Sequence, residues 1–594
     1  SGVFVLIQQA SLRQKQRSHQ YTSVHSSRNP FVRRSFGNRS KSMITLRIAI
    51  LVCTILHLGH SFATKSPTRT ASSPRTNEMS RLSATTFGSV SSSASASTPL
   101  RVAIIGGGAA GLVTARVMKR NGIEPTVFEK DSREAGVGGV WSYKPNSKSR
   151  PMYRGLRTNL PRELMAYREF PWGGDGKTMS FVTHNEVKDY LSKYSKAMGV
   201  EDLIRYRSTV TQLEILQNDE KKIENDDGGG IEGDDSSWPR IKLEWESMMG
   251  GPNNSDDEKT SHSEVFDAVC VCNGHYAAPA NPIIPGIEDF KGKIIHSITY
   301  DDPSVFEGET VLCVGGRASG ADLAREISHF AKHVYLSDTT CPALTDGKPV
   351  AEENVSWVPR TTAVLPNSSR ISFGPSCEET PEVDTIIFCS GYDYQFPFIN
   401  ERSNLDLSVV TGERRVKPLY EQLWHAQYPS LAFIGLQHSV VPFPFFELQA
   451  EAVASQLAGD SGDSASRPWT LPPLENRMEC AEKDANSGGP KEPGRVQDTH
   501  FLGSFQWEEC LKYARFAGVC DEDLKKYIMT NKAIYDHSGE ARKNLFPGGP
   551  DTYRYNSYIR DNENESFQAI PLQQKMGVEG IPEPLSSGSE VHAN

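Results

Sequence analysis

Two glycine-rich stretches in this chain have the spacing of turns that hold the phosphates of a nucleotide. The first spans residues 106–111 and the second spans residues 315–320. Glycine permits a tight turn and lets backbone N–H groups approach a pyrophosphate, to which the following helix presents a partial positive charge. Between the two turns stands a spaced set of aromatic, glycine and histidine residues, Phe290, Gly292, His296 and Tyr300. Two dinucleotide sites in one chain indicate electron transfer between two bound cofactors.

The first turn has the sequence context of a dinucleotide-binding fold. It follows the apolar run 101–105 and leads into a helical pattern at residues 112–120, which together predict strand, turn and helix. Glu129 ends the next apolar run, where a carboxylate can accept hydrogen bonds from a ribose hydroxyl. The alternative is a glycine-rich turn without a ligand, and the strand, helix and acid together disfavour it. The residues predicted to bind the nucleotide here are Gly106, Gly108, Ala110, Gly111 and Glu129.

The second turn repeats this context with one substitution. Arg317 stands where the middle glycine normally lets the backbone approach phosphate. Either the turn is more open, or the guanidinium itself meets the pyrophosphate. After the next strand-like run, Asp338 would repel a 2′-phosphate if it pointed inward, and the residues expected to compensate are Ser337, Thr339 or Arg317. The predicted binding residues are Gly315, Arg317, Ser319, Gly320 and Ser337.

Composition narrows the class of protein. The 594 residues allow several domains, and the formal net charge of −9 with no evident basic face argues against a nucleic-acid partner. The ten cysteines include no C-x-x-C pair and no metal-ligand spacing, so we expect free thiols and no metal site. The missing cysteine pair also disfavours the disulfide reductases, another class with two dinucleotide sites. A small-molecule substrate is therefore expected, and no motif predicts an oligomeric state.

The first 99 residues have a different composition from the rest. They contain one acidic residue, Glu78, together with scattered basic residues and many serines, which is typical of targeting sequences. Residues 43–63 have the pattern of a signal peptide, with an apolar core too short to span a bilayer comfortably. The Ser/Thr-rich stretch 64–99 resembles a transit peptide. The expected location is the secretory pathway, including the endoplasmic reticulum, or a complex plastid reached through this bipartite presequence. If the N-terminal gene model is wrong, the protein is cytoplasmic, and membrane association has no support in the core.

Low-complexity stretches mark the expected surface segments. Residues 218–237 and 248–263 are acidic and glycine-rich, and they are predicted to be surface loops of a β-ribbon because they cannot bury enough apolar area to order themselves. Residues 460–497 are predicted to be a disordered linker. The aromatic-rich C-terminal segment 498–594 is expected to pack back on the core as helices.

From residue 101 to about residue 459 the chain resembles the flavin-containing monooxygenases, and within them the S-oxygenating branch known from plants. Besides both turns, the motifs that carry the resemblance follow the family's order: Gly138-Gly139-Val140-Trp141, 152–171, 181–184, 266–276, Pro285-Gly286, 389–392, 433–436, 442–444 and Glu447. The resemblance implies an α/β fold with two Rossmann-like dinucleotide-binding domains. An NADPH-binding domain, 283–381, is inserted in an FAD-binding domain built from 100–282 and 382–459.

The resemblance also implies the reaction. A hydride passes from NADPH to FAD, and the reduced flavin reacts with O2 to give a C4a-hydroperoxyflavin, which oxygenates a soft nucleophile, a thioether sulfur or a tertiary amine nitrogen. Asn159 corresponds to the family's asparagine beside the flavin, whose amide donates a hydrogen bond without releasing a proton. Its alternative role is that of a turn residue before Pro161. The resemblance adds Gly139, Trp141 and Gly391 to the predicted cofactor contacts.

The same resemblance places Phe290, Gly292, His296 and Tyr300 at the junction of the two domains. There they are expected to couple the position of NADP+ to flavin chemistry, with no direct proton transfer by His296. Tyr300 distinguishes the chain from Baeyer–Villiger monooxygenases, which usually carry tryptophan at that position. A Baeyer–Villiger enzyme, an uncoupled NADPH oxidase and a catalytically impaired flavoprotein acting as a sensor or binding module remain the alternatives. Because of Arg317 and Asp338, NADH is also possible as the hydride donor.

Overall fold

The computed structural model describes residues 99–173, 176–216, 238–249, 258–342, 344, 348–374, 377–410, 414–458, 469–487 and 499–572. The predicted signal peptide at 43–63, the rest of the targeting region up to residue 98 and the predicted loop 218–237 lie outside the described residues.

The described residues form 24 strands and seven α-helices. The strands are β1 Arg101–Ile105, β2 Glu124–Phe128, β3 Ile204–Arg205, β4 Ser208–Ile215, β5 Ile241–Met249, β6 Glu258–Phe266, β7 Ala268–Val271, β8 Ala278–Pro279, β9 Lys293–His296, β10 Thr310–Val314, β11 His333–Ser337, β12 Val350–Glu352, β13 Val355–Val358, β14 Thr361–Val364, β15 Ile371–Phe373, β16 Thr385–Phe388, β17 Tyr392–Asp393, β18 Ser408–Val410, β19 Arg415–Lys417, β20 Leu419–Tyr420, β21 Trp424–His425, β22 Leu431–Phe433, β23 Asn556–Asp561 and β24 Ser566–Pro571. The α-helices are α1 Ala109–Arg120, α2 His184–Ala197, α3 Ala318–Ser328, α4 Pro442–Ala458, α5 Leu474–Ser487, α6 Gln506–Phe516 and α7 Glu522–Lys543.

The first domain is built on a seven-stranded sheet in the order β20-β21-β22-β7-β1-β2-β3. Strands β22, β7, β1, β2 and β3 run parallel, as in a Rossmann-like fold, and β20 and β21 extend the edge in antiparallel pairing. Strand β1 is apolar because both of its faces are covered. Val102 and Ile104 pack in the cluster that includes the residues of α1, while Ala103 and Ile105 face the antiparallel sheet β4-β5-β6.

The second domain is inserted in the first and has a six-stranded sheet in the order β12-β13-β11-β10-β16-β9. All pairs except β12 with β13 are parallel. Helix α3 covers one face, and the hairpin β14-β15 contributes to the apolar cluster on the other. The predicted boundary at residue 381 is wrong, because β16 lies between β10 and β9 inside this sheet. Its apolar run 385–388 is buried on both faces and so completes the inserted sheet.

The segments that enter and leave the inserted domain lie next to each other. Strand β8 precedes the domain and β17 follows it, and the two pair antiparallel, with Tyr392 opposite Pro279 and Asp393 opposite Ala278. Ala280 N–H donates to the carbonyl oxygen of Gly391 at 3.0 Å, and the Ser390 hydroxyl donates to the carbonyl oxygen of Ala280 at 2.5 Å. A two-stranded ribbon therefore connects the domains.

Two segments predicted to be irregular contain regular structure. In the stretch 248–263, residues 258–263 belong to β6, which pairs with β5 along its whole length. The ring of His262 stacks on Trp245 at 5.3 Å, an aromatic cross-strand pair that stabilises the ribbon. In the stretch 460–497, α5 forms because Ala481 is buried against the first domain, where the guanidinium of Arg477 donates to the carbonyl oxygen of Ala426 at 2.8 Å.

The C-terminal segment packs on the helical layer of the first domain. Helix α6 lies against α4, which in turn packs on α1. Trp507, Tyr513, Ile534 and Tyr558 are buried in the same apolar cluster as α1. The sequence predicts the helices, while the hairpin β23-β24 was not anticipated. Among the described helices, none is both long enough and apolar enough to cross a membrane.

Candidate functional site

The first glycine turn joins β1 to α1 and forms a backbone cradle. Gly106 has φ +111°, and a Cβ atom there would lie 2.6 Å from the carbonyl oxygen of Cys272. At Gly111 a Cβ would lie 1.9 Å from the carbonyl oxygen of Gly106, so both positions require glycine. Helix α1 starts after Gly108, which supplies no side-chain cap for the first N–H groups. These groups, which include that of Ala110, fit the pyrophosphate of FAD.

Glu129 is held beside this turn. Its carboxylate is buried and accepts hydrogen bonds from the backbone N–H of Gly107 and of Asp131, each at 2.8 Å. A carboxylate oxygen can accept more than one hydrogen bond, so the position still fits the predicted ribose contact. The structure thus brings Glu129 to the glycine turn, as the spacing in the sequence predicts.

A second loop covers the first turn. Gly138 and Gly139 have φ +134° and +57°, and a Cβ at Gly139 would lie 3.0 Å from the Cα of Gly108. Trp141 follows in a short 3₁₀ turn and is partly buried against the cluster that includes α1. Ala110 at the start of α1 is 9% exposed. The loop of Gly138 and Gly139 therefore lies directly against the first nucleotide turn.

The second glycine turn repeats the backbone of the first. Gly315 has φ +110°, and a Cβ there would lie 2.6 Å from the carbonyl oxygen of Cys389, while at Gly320 a Cβ would lie 1.7 Å from the carbonyl oxygen of Gly315. Arg317 has φ −74° and ψ −166°, close to the −82° and −172° of Gly108. The turn is therefore not opened by the arginine.

The side chains at the second turn differ from those of the first in exposure. Arg317 and Ser319 are exposed, and the guanidinium carbon of Arg317 lies 5.5 Å from the ring centre of Phe501. Ser319 therefore stays accessible in the first turn of α3, where a phosphate of NADPH would bind. The guanidinium of Arg317 rests on an aromatic ring, an arrangement of cation–π type.

Ser337 lies at the end of β11 with its side chain in the interior. Its hydroxyl is 2% exposed, donates to the carbonyl oxygen of Pro359 at 3.0 Å and accepts from the N–H of Thr361 at 2.8 Å. The structure thus places Ser337 under the connection from β13 to β14 and away from the nucleotide surface. Asp338 takes the position that Glu129 has in the first domain, since a Cβ at Gly316 would lie 2.5 Å from its carboxylate oxygen.

Arg360 is a candidate residue that the sequence reasoning missed. It stands between Pro359 and Thr361, which both contact Ser337, at the carboxyl end of β13. Its side chain is exposed and makes no hydrogen bond or ion pair with any described residue. Because β13 pairs with β11, Arg360 reaches the edge of the sheet where a nucleotide 2′-phosphate lies in this kind of fold. Ser337 and Pro359 are 22 positions apart in the chain, so the sequence alone does not reveal this proximity.

Asn159 lies on a loop that is fixed on both sides. Its own side chain is exposed and has no partner among the described residues. Thr158 donates its N–H to the carbonyl oxygen of Val182 at 2.8 Å, and its hydroxyl oxygen accepts from the N–H of Val182 at 3.1 Å. Further along the same segment, the Tyr167 hydroxyl donates to the carbonyl oxygen of Ala109 at 2.7 Å. The amide of Asn159 is therefore free to donate while its loop is tied to the start of α1.

His296 makes hydrogen bonds at the point where the chain leaves the inserted domain. Its Nε2–H donates to the carbonyl oxygen of Gly391 at 3.1 Å, and its Nδ1 accepts from the N–H of Ile298 at 3.2 Å. Burial lowers the pKa of His296, so the imidazole is neutral. Gly391 has φ +86°, which the turn requires. Both ring nitrogens of His296 are therefore engaged in hydrogen bonds with the backbone.

The other members of the motif have structural partners in the inserted domain. A Cβ at Gly292 would lie 2.2 Å from the carbonyl oxygen of Asp384. Phe290 is buried in the core on one face of the inserted sheet. The Tyr300 hydroxyl donates to the Glu326 carboxylate at 2.9 Å. These three residues therefore stabilise the inserted domain itself.

The remaining predictions concern metals and cysteines. No group of three or more metal-ligating side chains occurs among the described residues. The nine cysteines in the described ranges are all free thiols, and five of them are buried. Burial raises the pKa of Cys272 to about 12, so this thiol beside the first turn is not a nucleophile.

Comparison with known proteins decides the family. The flavin-containing monooxygenase FMO GS-OX-like 2 of Arabidopsis thaliana is 33% identical over 473 residues, which is 75% of this chain and 92% of that relative. The chain belongs to the flavin-containing monooxygenases. FMO GS-OX5 of the same plant is 34% identical over 461 residues, 73% of this chain and 89% of that relative. A family model described as flavin-binding monooxygenase-like matches residues 99–222 and 247–346.

Solved structures agree with the family and the fold. The S-allyl-L-cysteine S-oxygenase of Allium sativum is 30% identical with a TM-score of 0.62, covering 79% of this chain and 97% of that one. Tmm from a Pelagibacter strain is 20% identical with a TM-score of 0.56, and the match covers 79% of this chain and 95% of the Tmm chain. At this identity the likeness supports the fold alone. This flavin-containing monooxygenase is thus an FAD- and NADPH-dependent enzyme with two Rossmann-like domains, as the sequence predicts.

Proposed function

We propose that this flavin-containing monooxygenase oxygenates a soft nucleophile, with a thioether sulfur preferred to a tertiary amine nitrogen. The observation that carries the proposal is the free, exposed amide of Asn159 on a loop tied to the start of α1. A sulfur or nitrogen lone pair needs no base to become a nucleophile. Bound FAD, once reduced by NADPH, supplies the electrophilic oxygen from O2. The relative from Allium sativum, which is named as an S-oxygenase, supports sulfur as the first substrate class to test.

The residues of this chain have positioning tasks in such a reaction. The first turn would hold FAD through its backbone N–H groups, beside the loop of Gly138 and Gly139. The Asn159 amide can donate a hydrogen bond without giving up a proton. It would therefore stabilise the reactive oxygen without supplying the proton that releases hydrogen peroxide. His296 is neutral and fully engaged, so it is no proton source at the domain junction.

The test compares substrates and two asparagine variants. The full chain is reconstituted with FAD and NADPH, and the oxygenated product is counted per NADPH oxidised with a thioether, a tertiary amine and a ketone. We expect the thioether to be most efficient. Asn159→Ala should retain flavin but release hydrogen peroxide in place of product. Asn185→Ala, which changes an exposed asparagine on α2, serves as the matched control. Efficient ketone oxygenation, or full coupling in Asn159→Ala, would contradict the proposal.

We also propose that residues 1–99 direct the enzyme into the secretory pathway or onward to a complex plastid. The support is the composition of this stretch, which has one acidic residue and an apolar core within 43–63. A fluorescent fusion of the full chain, compared with a fusion lacking residues 1–99, tests the proposal by microscopy. Identical cytoplasmic distributions of both fusions would contradict it.

A further inference from the structure

We propose that Arg554, in the C-terminal segment, is a positioning residue that holds the Asn159 loop at a fixed place relative to the NADPH-binding domain. This inference rests on the proposed role of Asn159. The C-terminal segment then does more than cover apolar surface, because one of its buried side chains contacts both nucleotide-binding domains.

The guanidinium of Arg554 has three different acceptors. Its Nε donates to the carbonyl oxygen of Thr158 at 3.1 Å, its Nη2 donates to the Asp322 carboxylate at 2.9 Å, and its Nη1 donates to the Asp551 carboxylate at 2.8 Å. The side chain is 6% exposed. Thr158 directly precedes Asn159, so one arm of the guanidinium ends next to the proposed catalytic amide. Asp322 lies on the helix of the second glycine turn, so another arm ends in the NADPH-binding domain.

Asp322 is a firm anchor for this contact. Burial pushes its pKa up, but Arg325 and Arg554 outweigh that effect, and the net pKa is lowered. The carboxylate therefore stays ionised. It also accepts a hydrogen bond from the hydroxyl of Tyr153, whose ring packs edge-on to Tyr300 at 5.2 Å. The ion pair of Asp322 with Arg554 thus links α3 to the contact between Tyr153 and Tyr300 at the domain junction.

On the FAD side, backbone hydrogen bonds fix the start of the hairpin that follows Arg554. Ser180 N–H donates to the carbonyl oxygen of Asn556 at 3.1 Å, and Tyr558 N–H donates to the hydroxyl of Ser180 at 2.9 Å. The ring of Tyr553 contacts Phe181 at 5.1 Å. These contacts attach β23 to the same stretch that pairs with Thr158. A shift of the NADPH-binding domain is therefore transmitted through Asp322 to a loop that cannot move independently.

The geometry requires arginine in particular. A planar guanidinium donates in three directions at once, whereas a lysine ammonium is a single point charge on a flexible stem. Arg554→Lys would keep an attraction to Asp322 and lose the simultaneous contact with Thr158. Arg560, on strand β23 of the hairpin that follows Arg554, offers a matched control. Its Nη1 donates to the carbonyl oxygen of Glu163 at 2.8 Å and to the amide oxygen of Asn531 at 2.7 Å.

The experiment compares Arg554→Lys, Arg554→Ala and Arg560→Lys in the full chain with bound FAD. The readouts are hydrogen peroxide released per NADPH oxidised, and hydrogen–deuterium exchange of residues 156–160 with and without NADP+. We expect both Arg554 variants to keep their flavin absorbance and to release at least threefold more peroxide. NADP+ should protect residues 156–160 from exchange in the parent enzyme and in Arg560→Lys, but not in the Arg554 variants. Millimolar guanidinium should restore coupling to Arg554→Ala.

Each result decides a separate point. Coupling and NADP+-dependent protection in Arg554→Lys equal to those of Arg560→Lys would overturn the inference. If Arg554→Ala does not fold, Asp322→Asn tests the same link, and unchanged protection of residues 156–160 would again overturn it. If Asn159→Ala is fully coupled while the Arg554 variants lose protection, the proposed role of Asn159 fails and the link between the domains stands.

Discussion

The two glycine turns have nearly the same backbone but different surroundings. Gly106 and Gly315 share their left-handed φ, and a Cβ atom at either position would lie 2.6 Å from a cysteine carbonyl oxygen. The first turn lies beneath the loop of Gly138 and Gly139, whereas residues 317–319 of the second turn are exposed. One backbone design thus serves two nucleotides. The surroundings suit a tightly held FAD at the first turn and an exchanging NADPH at the second, because a covered ligand leaves only after its cover moves.

The helices that follow the two turns also differ in their surroundings, one being packed by apolar side chains and the other making polar contacts. Val113 and Val117 of α1 are fully buried in the apolar core. The positions that correspond to them on α3 are Asp322 and Glu326, which take part in polar contacts with Arg554 and Tyr300. Apolar packing holds α1 at these positions, whereas on α3 the Asp322 carboxylate pairs with Arg554 of the C-terminal segment and Glu326 pairs with Tyr300 of the same domain. The pair of Asp322 and Arg554 is thus a polar contact of the second domain with the rest of the chain, at a position where the first domain has apolar core.

The largest expected effect comes from the equivalent glycines of the two turns. Gly111→Ala and Gly320→Ala each place a Cβ less than 2 Å from a carbonyl oxygen, which side-chain movement cannot relieve. We expect Gly111→Ala to yield protein without flavin. Gly320→Ala should keep its yellow FAD and lose reduction by NADPH. Flavin absorbance after purification and anaerobic stopped-flow reduction measure the two losses. Loss of FAD from Gly320→Ala would break the comparison between the turns.

A smaller effect is expected at Arg360. If its free guanidinium meets the 2′-phosphate, Arg360→Ala should weaken NADPH binding by about tenfold to a hundredfold, the strength of one charge-assisted hydrogen bond or more. NADH lacks that phosphate, so its kinetics should be unchanged. Steady-state KM values for both nucleotides measure the effect, and Arg370→Ala, at the far end of the inserted domain, is the control. An equal loss with NADH would exclude phosphate recognition.

Glu326 is expected to make stability depend on pH. Burial raises its pKa to about 7, above its usual 4.5. The folded protein therefore holds a proton that the unfolded chain releases between about pH 4.5 and 7. The contribution is complete below pH 4.5 and is lost as the pH rises to 7. Glu326→Gln should flatten this dependence by about 1–2 kcal/mol in the free energy of unfolding. Urea unfolding at pH 5 and pH 8 measures it, and parallel pH profiles for variant and parent would contradict it.

The smallest effect is expected at Arg317. Because its backbone already matches that of Gly108, restoring the missing glycine should change the KM for NADPH by less than about threefold, within 1 kcal/mol. The stacking on Phe501 contributes about 0.5–1 kcal/mol at an exposed site. A gain of tenfold or more in Arg317→Gly would show that the arginine restricts the turn after all.

The sequence was most informative where chemistry depends on the backbone. Gly106, Gly111, Gly315 and Gly320 were predictable because sterically restricted turns leave one residue type available. The position of Ser337 was not, because its hydroxyl is used by the connection after β13, a strand that pairs with β11 only in the folded sheet. The position of Arg360 beside Ser337 and the contacts of Arg554 depend on segments that are distant in the chain, so they have no local pattern in the sequence. The family resemblance supplied the reaction, which spacing alone would not.

Because of the ribbon of β8 and β17, the NADPH-binding domain can be replaced as one unit. Entry and exit lie on paired strands, with Pro279 opposite Tyr392, so the ends of the inserted domain are as close as two neighbouring strands. A domain with such ends can be cut out and replaced at the level of the gene without lengthening the connections. Transplanting the corresponding domain of a relative between residues 279 and 392 would then change the electron donor and keep the oxygenating half intact.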